Sequence, residues 1–467
     1  MRPFVPVLVI FVLAAGLSGC AHVAGIPGTI HKPWIAAEAG AAPSKRNQKA
    51  ATAPPRYAAN SATLYVTFGL QVAGIAPLPA DFEPDMSRSP IWLSGRTEVG
   101  VIGTLAGKGV VLGFSGPGLS RRRVLIEDGG AAGPGGQLLD VATNADGRAL
   151  VTAVASDSGD SLDVYLSDAS NPRDVTPIAS LAGEFDSAQL AWLNNGKIVL
   201  VAEESAASED PWHHRTAEVP VSGLYLIPLD SQGSIRRVAG VKCQLSLLSF
   251  SPDGAFAVAQ GGSNAPPAII DLHKSTCTGF SSGLPVQVLG WAPNSTSFLY
   301  RTAAQDGVFR FDLVARRKST VAVSSGAAAF ATDGTIVAFG SQDLSWRRVV
   351  SESVAPVKAQ IALFDPHQNL ITINSLGFAI PPGLMARSTM IFSQASNNAI
   401  IDTALPGPTG LVRELIEYSY PARAAFVLAH GPVRGPIAVS WSPDGRQIAI
   451  LDGDTSHRTL AVITPPK

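Results

Sequence analysis

The stretch at residues 440–451, Ser-Trp-Ser-Pro-Asp-Gly-Arg-Gln-Ile-Ala-Ile-Leu, constrains the fold more than any other part of the sequence. Apolar residues alternate with small or polar ones on both sides of a Pro-Asp-Gly sequence, which is typical of two half-buried strands joined by a tight turn. Pro443 fixes φ at the first turn position, and Gly445 supplies the positive φ that closes the turn. The stretch therefore predicts a β-hairpin.

This hairpin pattern recurs along the chain. A close copy lies at residues 249–258, and weaker copies begin near Ala191, Gly290 and Phe330. Neighbouring copies are about 40 residues apart where the repeat is clearest, which is typical of propeller blades with four short strands each. An Asp closes the third predicted strand of four units: Asp230, Asp271, Asp312 and Asp365. The repeat predicts an all-β chain.

These residues resemble the repeat of TolB-type, WD-repeat-like β-propellers, in which Ser-Pro-Asp-Gly joins the first two strands and Asp closes the third. The resemblance covers roughly residues 90–467 and implies a β-propeller of four-stranded antiparallel blades. Eight units are favoured over seven, which stays open because the first and seventh units are poorly marked. Residues 411–418 fit either an outer strand or a short helix. The units span 90–127, 138–182, 187–240, 245–281, 286–323, 326–376, 377–422 and 434–467.

The last unit contains three obvious strands, so we expect an N-terminal strand to complete it. Residues 63–68, Thr-Leu-Tyr-Val-Thr-Phe, are predicted to pair with the strand at 460–464 and close the ring, which protects the strand edges. The sequence at 63–67 also resembles the Tyr-Val-Thr-Asn repeat of bacterial surface propellers. Residues 21–60 are too short and too polar for the extra N-terminal domain of TolB, so partners of TolB are not expected here.

The N-terminus predicts export. Met1-Arg2 precedes an apolar run at residues 4–17, shorter than the ~20 residues of a membrane-spanning helix and typical of a secretion signal. Leu17-Ser18-Gly19-Cys20 resembles the bacterial lipobox, which implies cleavage before Cys20 and lipid on its thiol; an ordinary signal peptide with an incidental Cys is the alternative. By the same resemblance, Ala21 in place of Asp favours the outer membrane, facing the periplasm.

Three domains follow: a signal peptide at 1–19, a lipidated tether at 20–60 that is rich in Ala, Pro and Gly, and a propeller at 61–467. With Cys20 taken by lipid, Cys243 and Cys277 remain. In an oxidising compartment, two remaining thiols suggest one disulfide, although two buried free thiols are the alternative.

Two long insertions, at 203–221 and 342–358, separate the second and third strands of their units, so we expect them on one face of the ring. Loops on a rigid scaffold often carry binding residues. We predict a surface there for a protein or an envelope polymer; mobile decoration is the alternative. The candidate residues are Trp212, His213, His214, Trp346, Arg347 and Arg348.

Other motifs predict no chemistry. Adjacent His213 and His214 point apart on an extended chain, so no metal site is expected. Residues 279–283 match Gly-x-Ser-x-Gly but precede a strand, whereas a nucleophile elbow precedes a helix. A net charge of −1, with 15% charged residues, argues against a nucleic-acid partner. No cofactor is predicted.

Tryptophans and arginines mark structural positions. Trp92, Trp192, Trp291 and Trp441 lie at equivalent positions near the turns and are expected to pack between blades. Basic clusters at 121–123, 236–237 and 316–318 lie near predicted outer strands, where charge discourages edge pairing.

Two functions remain. The first is a non-enzymatic, membrane-tethered propeller that binds a protein or an envelope polymer. The alternative is a propeller enzyme, such as a lactonase or a quinone-cofactor dehydrogenase, whose catalytic groups come from several blades lining the central channel and therefore form no linear motif.

Overall fold

All residues described by this computed structural model belong to one unit of the chain. No helix within the described residues is long and apolar enough to cross a membrane. The described residues are 65–66, 71–93, 98–129, 136–193, 196–204, 222–229, 235–238, 245, 247–261, 266–280, 285–302, 305–322, 325–341, 356–385, 387–407, 410–433, 435–453 and 458–465.

The fold is an eight-bladed β-propeller built on four-stranded antiparallel blades, as the sequence predicts. Two N-terminal strands, β1 (Tyr65–Val66) and β2 (Gln71–Pro77), precede blade 1. Blades 1 to 4 contain β3 (Phe82–Pro84), β4 (Ile91–Leu93), β5 (Glu98–Leu105), β6 (Lys108–Ser115) and β7 (Arg121–Glu127); β8 (Gln137–Thr143), β9 (Ala149–Ala155), β10 (Ser161–Asp168) and β11 (Asn171–Ala182); β12 (Phe185–Trp192), β13 (Ile198–Glu204), β14 (Ser222–Ile227) and β15 (Arg236–Arg237); β16 (Leu248–Phe250), β17 (Phe256–Ala259), β18 (Ala268–Asp271) and β19 (Thr276–Gly279).

The second half of the ring repeats this order, and the short helix α1 precedes blade 7. Blades 5 to 8 contain β20 (Val286–Trp291), β21 (Ser297–Thr302), β22 (Gln305–Asp312) and β23 (Arg317–Ala322); β24 (Ser325–Phe330), β25 (Ile336–Ser341), β26 (Val357–Phe364) and β27 (Leu370–Ile380); α1 (Pro382–Met385), β28 (Thr389–Ser393), β29 (Asn398–Gly407), β30 (Gly410–Ser419) and β31 (Ala424–Pro432); β32 (Ile437–Trp441), β33 (Ile448–Asp452) and β34 (Thr459–Thr464). Residues 411–418 thus lie in β30, the third strand of blade 7, so both the helix and the outer-strand assignments are wrong; the outer strand is β31, beyond the predicted end of this unit at 422.

The N-terminal segment closes the ring, but with a different strand from the one predicted. β2 pairs with β34, from Gln71 opposite Thr464 to Pro77 opposite Thr459, and becomes the outer strand of blade 8. The assignment of residues 63–68 to this position is wrong, because β1 pairs with β31 and extends blade 7 instead. The chain passes from the outer strand of blade 8 to the inner strand of blade 1, the same step that joins every other pair of blades, and β1 lies one blade earlier.

The predicted turn has the expected geometry. In blade 8 the Gly445 N–H donates to the Ser442 carbonyl at 2.8 Å, and Gly445 has φ 67°. The Ser442 hydroxyl accepts from the Gln447 amide at 2.9 Å and donates to Asp444 Oδ1 at 2.6 Å. The turn of blade 4 repeats these bonds. Side chains and backbone therefore fix the hairpin locally, which is why the sequence reveals it.

The core lies between neighbouring blades, because alternate residues of each strand face opposite neighbours. The prediction for the tryptophans is confirmed at three positions, where an indole reaches the preceding blade. Trp92 Nε1 donates to Ser440 Oγ at 3.1 Å, Trp291 Nε1 to Ser249 Oγ at 3.0 Å, and Trp441 Nε1 to the Ile391 carbonyl at 3.2 Å. Each bond ties two inner strands together.

The predicted basic clusters do lie on outer strands: at the start of β7, in β15 and at the start of β23. The outer strand β27 of blade 6 differs, since it carries no charged residue and exposes Leu370, Ile371 and Ile373.

Candidate functional site

A cavity of about 530 Å³ lies between the outer halves of blades 4 and 5. One wall comes from blade 4 and includes Ile269, Thr276, Thr278 and Phe280. The other comes from blade 5 and includes Tyr300, Phe311, Leu313, Arg316 and Lys318. Its volume is within the range of small-ligand sites.

Unequal strand lengths create this cavity. The outer strands of blade 4, β18 and β19, have 4 residues each. The facing strands of blade 5, β22 and β23, have 8 and 6 residues. Blade 4 is therefore too short to cover the outer part of blade 5, and a gap remains where two equal blades would pack.

The cavity floor is aromatic because large rings alternate along two neighbouring strands. Phe298 and Tyr300 of β21 and Phe309 and Phe311 of β22 all face blade 4 and are at most 6% exposed; Tyr300 and Phe311 line the cavity, and Phe298 and Phe309 pack beside them. Phe280, which follows β19, packs edge-on against Tyr300 and Phe311, with ring centroids 5.5 Å and 5.2 Å away. Edge-to-face pairs of this kind stabilise a fixed arrangement, so the floor is rigid.

The rim is cationic. Lys318 is exposed, yet its Nζ lies 3.7 Å from the centroid of the Phe309 ring, a cation–π contact. Partial burial lowers the pKa of Lys318. Arg316 is also exposed and adopts φ 48° in the turn between β22 and β23. Asp271 is on the opposite wall, and its Oδ2 lies 3.4 Å from Lys274 Nζ. Its Oδ1 accepts hydrogen bonds from two backbone amides of its own turn.

Tyr300 supplies a hydroxyl that stays protonated. Burial raises the pKa of Tyr300 to about 12. At neutral pH the phenol is therefore neutral, and it offers a hydrogen bond and an aromatic face. With the cations above it, the cavity can hold a ligand that has both apolar and polar parts.

The predicted partner-binding residues Trp212, His213, His214, Trp346, Arg347 and Arg348 lie outside the described residues. The strands that flank them are described: one insertion connects β13 to β14 in blade 3, the other β25 to β26 in blade 6. Both are second-to-third strand connections. Since strands in a blade alternate in direction, the strand ends that these insertions join lie at the opposite end of the ring from the third-to-fourth strand turns that flank the cavity.

Of the residues predicted for lipidation or a disulfide, Cys20 and Cys243 also lie outside the described residues. Cys277 is described, lies in β19 and is disulfide-bonded. Its side chain packs toward blade 3, whereas the neighbouring Thr276 and Thr278 line the cavity on the other face. The pairing of Cys277 with Cys243 stays a prediction.

The Gly-x-Ser-x-Gly match begins at the cavity. Gly279 ends β19, and Phe280 contributes a ring to the floor; the serines of the motif are not described. The next described element is strand β20, so the match precedes a strand, as the sequence predicts.

Near the ring centre, a buried carboxylate joins three blades. Asp140, on the inner strand β8, accepts from Arg88 Nη1 at 2.5 Å and from the Leu190 amide at 2.6 Å. Burial raises the pKa of Asp140, and the Arg88 charge partly offsets that rise. Within the described part of the chain, no three metal-ligating side chains cluster.

Sequence reasoning missed the cavity, although part of its signal was present. Phe298 and Tyr300, and then Phe309 and Phe311, are spaced by two, so each pair lies on one face of its strand. Two aromatic pairs on adjacent strands indicate an aromatic patch. Whether blade 4 covers that patch depends on the lengths of its outer strands, which the sequence does not indicate.

Comparison with known proteins finds similarity at the level of structure. No family model and no curated protein matches the sequence. Solved structures that match include oligogalacturonate lyase from Vibrio parahaemolyticus, at 10% identity and TM-score 0.44, covering 88% of this chain and 99% of that one. Prolyl oligopeptidase B from Galerina marginata has 12% identity and TM-score 0.45 over 78% of this chain, which spans only 54% of that protein.

A putative TolB from Agrobacterium tumefaciens also matches, at 13% identity and TM-score 0.30, covering 67% of this chain and 95% of that one. The structural neighbours of this eight-bladed β-propeller thus include a TolB-like propeller, a lyase and peptidases.

Proposed function

We propose that this protein is a non-enzymatic binding module of the bacterial cell envelope, held at the outer membrane by lipid on Cys20 and facing the periplasm. The observation that carries the proposal is the cavity between blades 4 and 5. Its floor consists of rings fixed in the core, so a ligand enters without reorganising the fold. Preformed apolar cavities with a few polar groups at the rim are the usual form of a small-ligand site.

The anchoring part of the proposal rests on the sequence. A lipobox-like Leu17-Ser18-Gly19-Cys20 follows a short apolar run. Several acyl chains, at ~0.8 kcal/mol per buried CH₂, make such anchorage stable. Residues 20–60 then act as a tether that lets the propeller reach envelope components.

A second contact surface is proposed on the insertions at 203–221 and 342–358. Their flanking strands belong to the rigid ring, and the insertions carry Trp212, His213, His214, Trp346, Arg347 and Arg348. Aromatic and Arg residues dominate the energetics of protein interfaces. A protein or polymer partner then contacts the ring at the insertions, while the cavity binds a small ligand group at the opposite end of the ring.

The test is site-specific photo-crosslinking in intact envelopes. A photoreactive residue replaces Thr278 at the cavity, Trp212 in the first insertion, or Arg122 as a control on exposed strand β7. We expect discrete cross-linked products from Thr278, from Trp212, or from both, and none from Arg122. Equal labelling at all three positions contradicts a specific binding surface.

Membrane fractionation tests the anchor separately. The wild-type chain should sediment with outer membranes and take up labelled palmitate, and Cys20→Ser should do neither. A Cys20→Ser variant that stays in the membrane fraction contradicts the lipid anchor but leaves the cavity proposal in place.

A further inference from the structure

The cavity between blades 4 and 5 combines two features that select one class of ligand. Its depth is apolar and aromatic, formed by rings such as Tyr300, Phe311 and Phe280. Its rim carries two cations, Arg316 and Lys318, on the same wall. A neutral apolar molecule would use the floor alone, and a small inorganic anion would use the rim alone.

The turns beside the opening of the cavity carry a net positive charge. The two turns beside it carry the sequences His273-Lys274 and Arg316-Arg317-Lys318. Two carboxylates, Asp271 and Asp312, lie in the same turns, and Asp271 pairs with Lys274 at 3.4 Å. Four cationic side chains (Lys274, Arg316, Arg317 and Lys318) against two carboxylates leave an excess of two positive charges. The resulting potential attracts anions and is screened by salt.

Lys318 connects the rim to the floor. Its ammonium lies over the Phe309 ring, 3.7 Å from the centroid, and burial lowers its pKa. An anionic group of a ligand beside the Lys318 ammonium would compensate for the solvation that the ammonium loses on burial. The ring of the same ligand would contact Tyr300.

Resting on the proposed function that this cavity is a binding site, we infer that its ligand is an anionic ring compound. A planar or ring-shaped apolar body packs against the aromatic surface formed by Phe280, Tyr300 and Phe311, and a carboxylate, phosphate or sulfonate group meets Arg316 and Lys318. An acidic sugar unit and an aromatic acid share this chemistry.

The experiment compares two fluorescent probes that differ by one charged group: 1-anilinonaphthalene-8-sulfonate and its neutral parent, N-phenyl-1-naphthylamine. Titrations use the full chain, which contains seven Trp residues, so energy transfer to the bound probe is compared between the wild-type chain and Trp291→Phe, the indole of Trp291 lying 5.1 Å from the Phe298 ring. We expect the sulfonate to bind about tenfold more tightly than the neutral probe at low salt, and the difference to shrink at high salt.

Charge-deleting variants locate the anion. Arg316→Gln and Lys318→Gln should each weaken sulfonate binding about tenfold and leave the neutral probe within about twofold. Arg317→Gln removes the same charge from the next residue, whose side chain points to the other face of β23, and is the matched control. Its effect on either probe should be within about twofold.

A cavity-filling variant separates the two hypotheses. Thr278→Trp places a large ring in the opening of the cavity, at an exposed position where folding is tolerated. If it abolishes binding of both probes but the probes bind equally to the wild-type chain, the anionic class is wrong and the cavity remains a site. If Thr278→Trp changes the binding of neither probe and Trp291→Phe leaves the energy transfer unchanged, the cavity is not a site and the proposed function loses its support.

Discussion

The interface between blades 4 and 5 and the one between blades 7 and 8 are built from the same repeat but packed differently. The first is aromatic, with Phe298, Tyr300, Phe309 and Phe311 beneath an open cavity. The second is aliphatic and closed, with residues such as Ile400, Leu415, Ile448, Ile450 and Ile463 buried. Both place a Trp indole beside the Pro turn.

Strand length explains the contrast. In blade 7 the strands β29, β30 and β31 have 10, 10 and 9 residues and cover the face of blade 8. In blade 4, β18 and β19 have 4 residues each and leave the outer part of blade 5 uncovered. The repeat therefore fixes the inner half of each interface, while the length of the outer strands decides whether the interface closes or opens a site.

The largest effect is expected from breaking the closed interface at its turn. A Cβ on Gly445 would lie 2.6 Å from the Ser396 backbone nitrogen of blade 7, and Gly445 has φ 67°. Gly445→Ala should cost about 4 kcal/mol of unfolding free energy, from the positive φ and the clash together. Urea unfolding followed by far-UV circular dichroism measures it.

Gly334→Ala in blade 6 is the matched control. Gly334 also has a positive φ, 83°, but the nearest atom to its Cβ would be Pro366 Cγ at 3.6 Å, an ordinary contact. Its cost should be about 1–2 kcal/mol, from backbone strain alone. Equal losses in the two variants would mean that the turn of blade 8 is not wedged against blade 7.

Removing the disulfide should loosen the open interface. Cys277→Ser frees β19, whose opposite face forms the cavity wall, and should lower the unfolding free energy by about 3–4 kcal/mol if the predicted bridge to Cys243 closes that loop. In this variant, backbone amide hydrogens should exchange faster in β19 than in β31. Peptide mapping without reductant identifies the partner, and a bridge to Cys20 would overturn both the pairing and the lipid anchor.

The closed interface should respond to pH through the buried carboxyl group of Glu417. Glu417 is 1% exposed, and burial raises its pKa from 4.5 to about 7, although the Asn398 side chain donates to Oε1 at 2.8 Å. Between these two values the folded chain holds a proton that the unfolded chain has lost. This group's contribution to stability is therefore lost as pH rises through that window, and the penalty is complete above about pH 7.

Glu417→Gln removes this dependence. At about pH 8 the variant should be more stable than the wild type by about 3 kcal/mol, and at about pH 4 the two should be nearly equal. Chemical denaturation across this range measures the difference. Glu127→Gln, at a solvent-accessible position of outer strand β7, is the control and should shift stability by less than about 0.5 kcal/mol at any pH. A variant that is less stable at high pH would show that Glu417 is ionised and paired in the fold.

The sequence was sufficient for the repeat because the Ser-Pro-Asp-Gly turn is stabilised by its own atoms, as the Ser442 hydroxyl shows. The closing strand was harder to assign. Residues 63–68 and 71–77 both suit an outer strand, and their pairing depends on partners far away in the chain. The cavity and the buried Glu417 are harder still, because each depends on how far a neighbouring blade extends.

The smallest effect tests whether the Trp–Ser hydrogen bond between inner strands is equally strong at the open interface and at the interface between blades 8 and 1. Trp291 donates to Ser249 between blades 4 and 5, and Trp92 donates to Ser440 between blades 1 and 8. Double-mutant cycles with Trp→Phe and Ser→Ala should give a coupling of about 1 kcal/mol for each bonded pair and none for the swapped pairs. Equal coupling energies would mean that the gap between blades 4 and 5 is confined to the outer strands. A weaker coupling for Trp291 and Ser249 would mean that this gap reaches the inner strands. In that case the short strands of blade 4 would not be enough to explain the cavity.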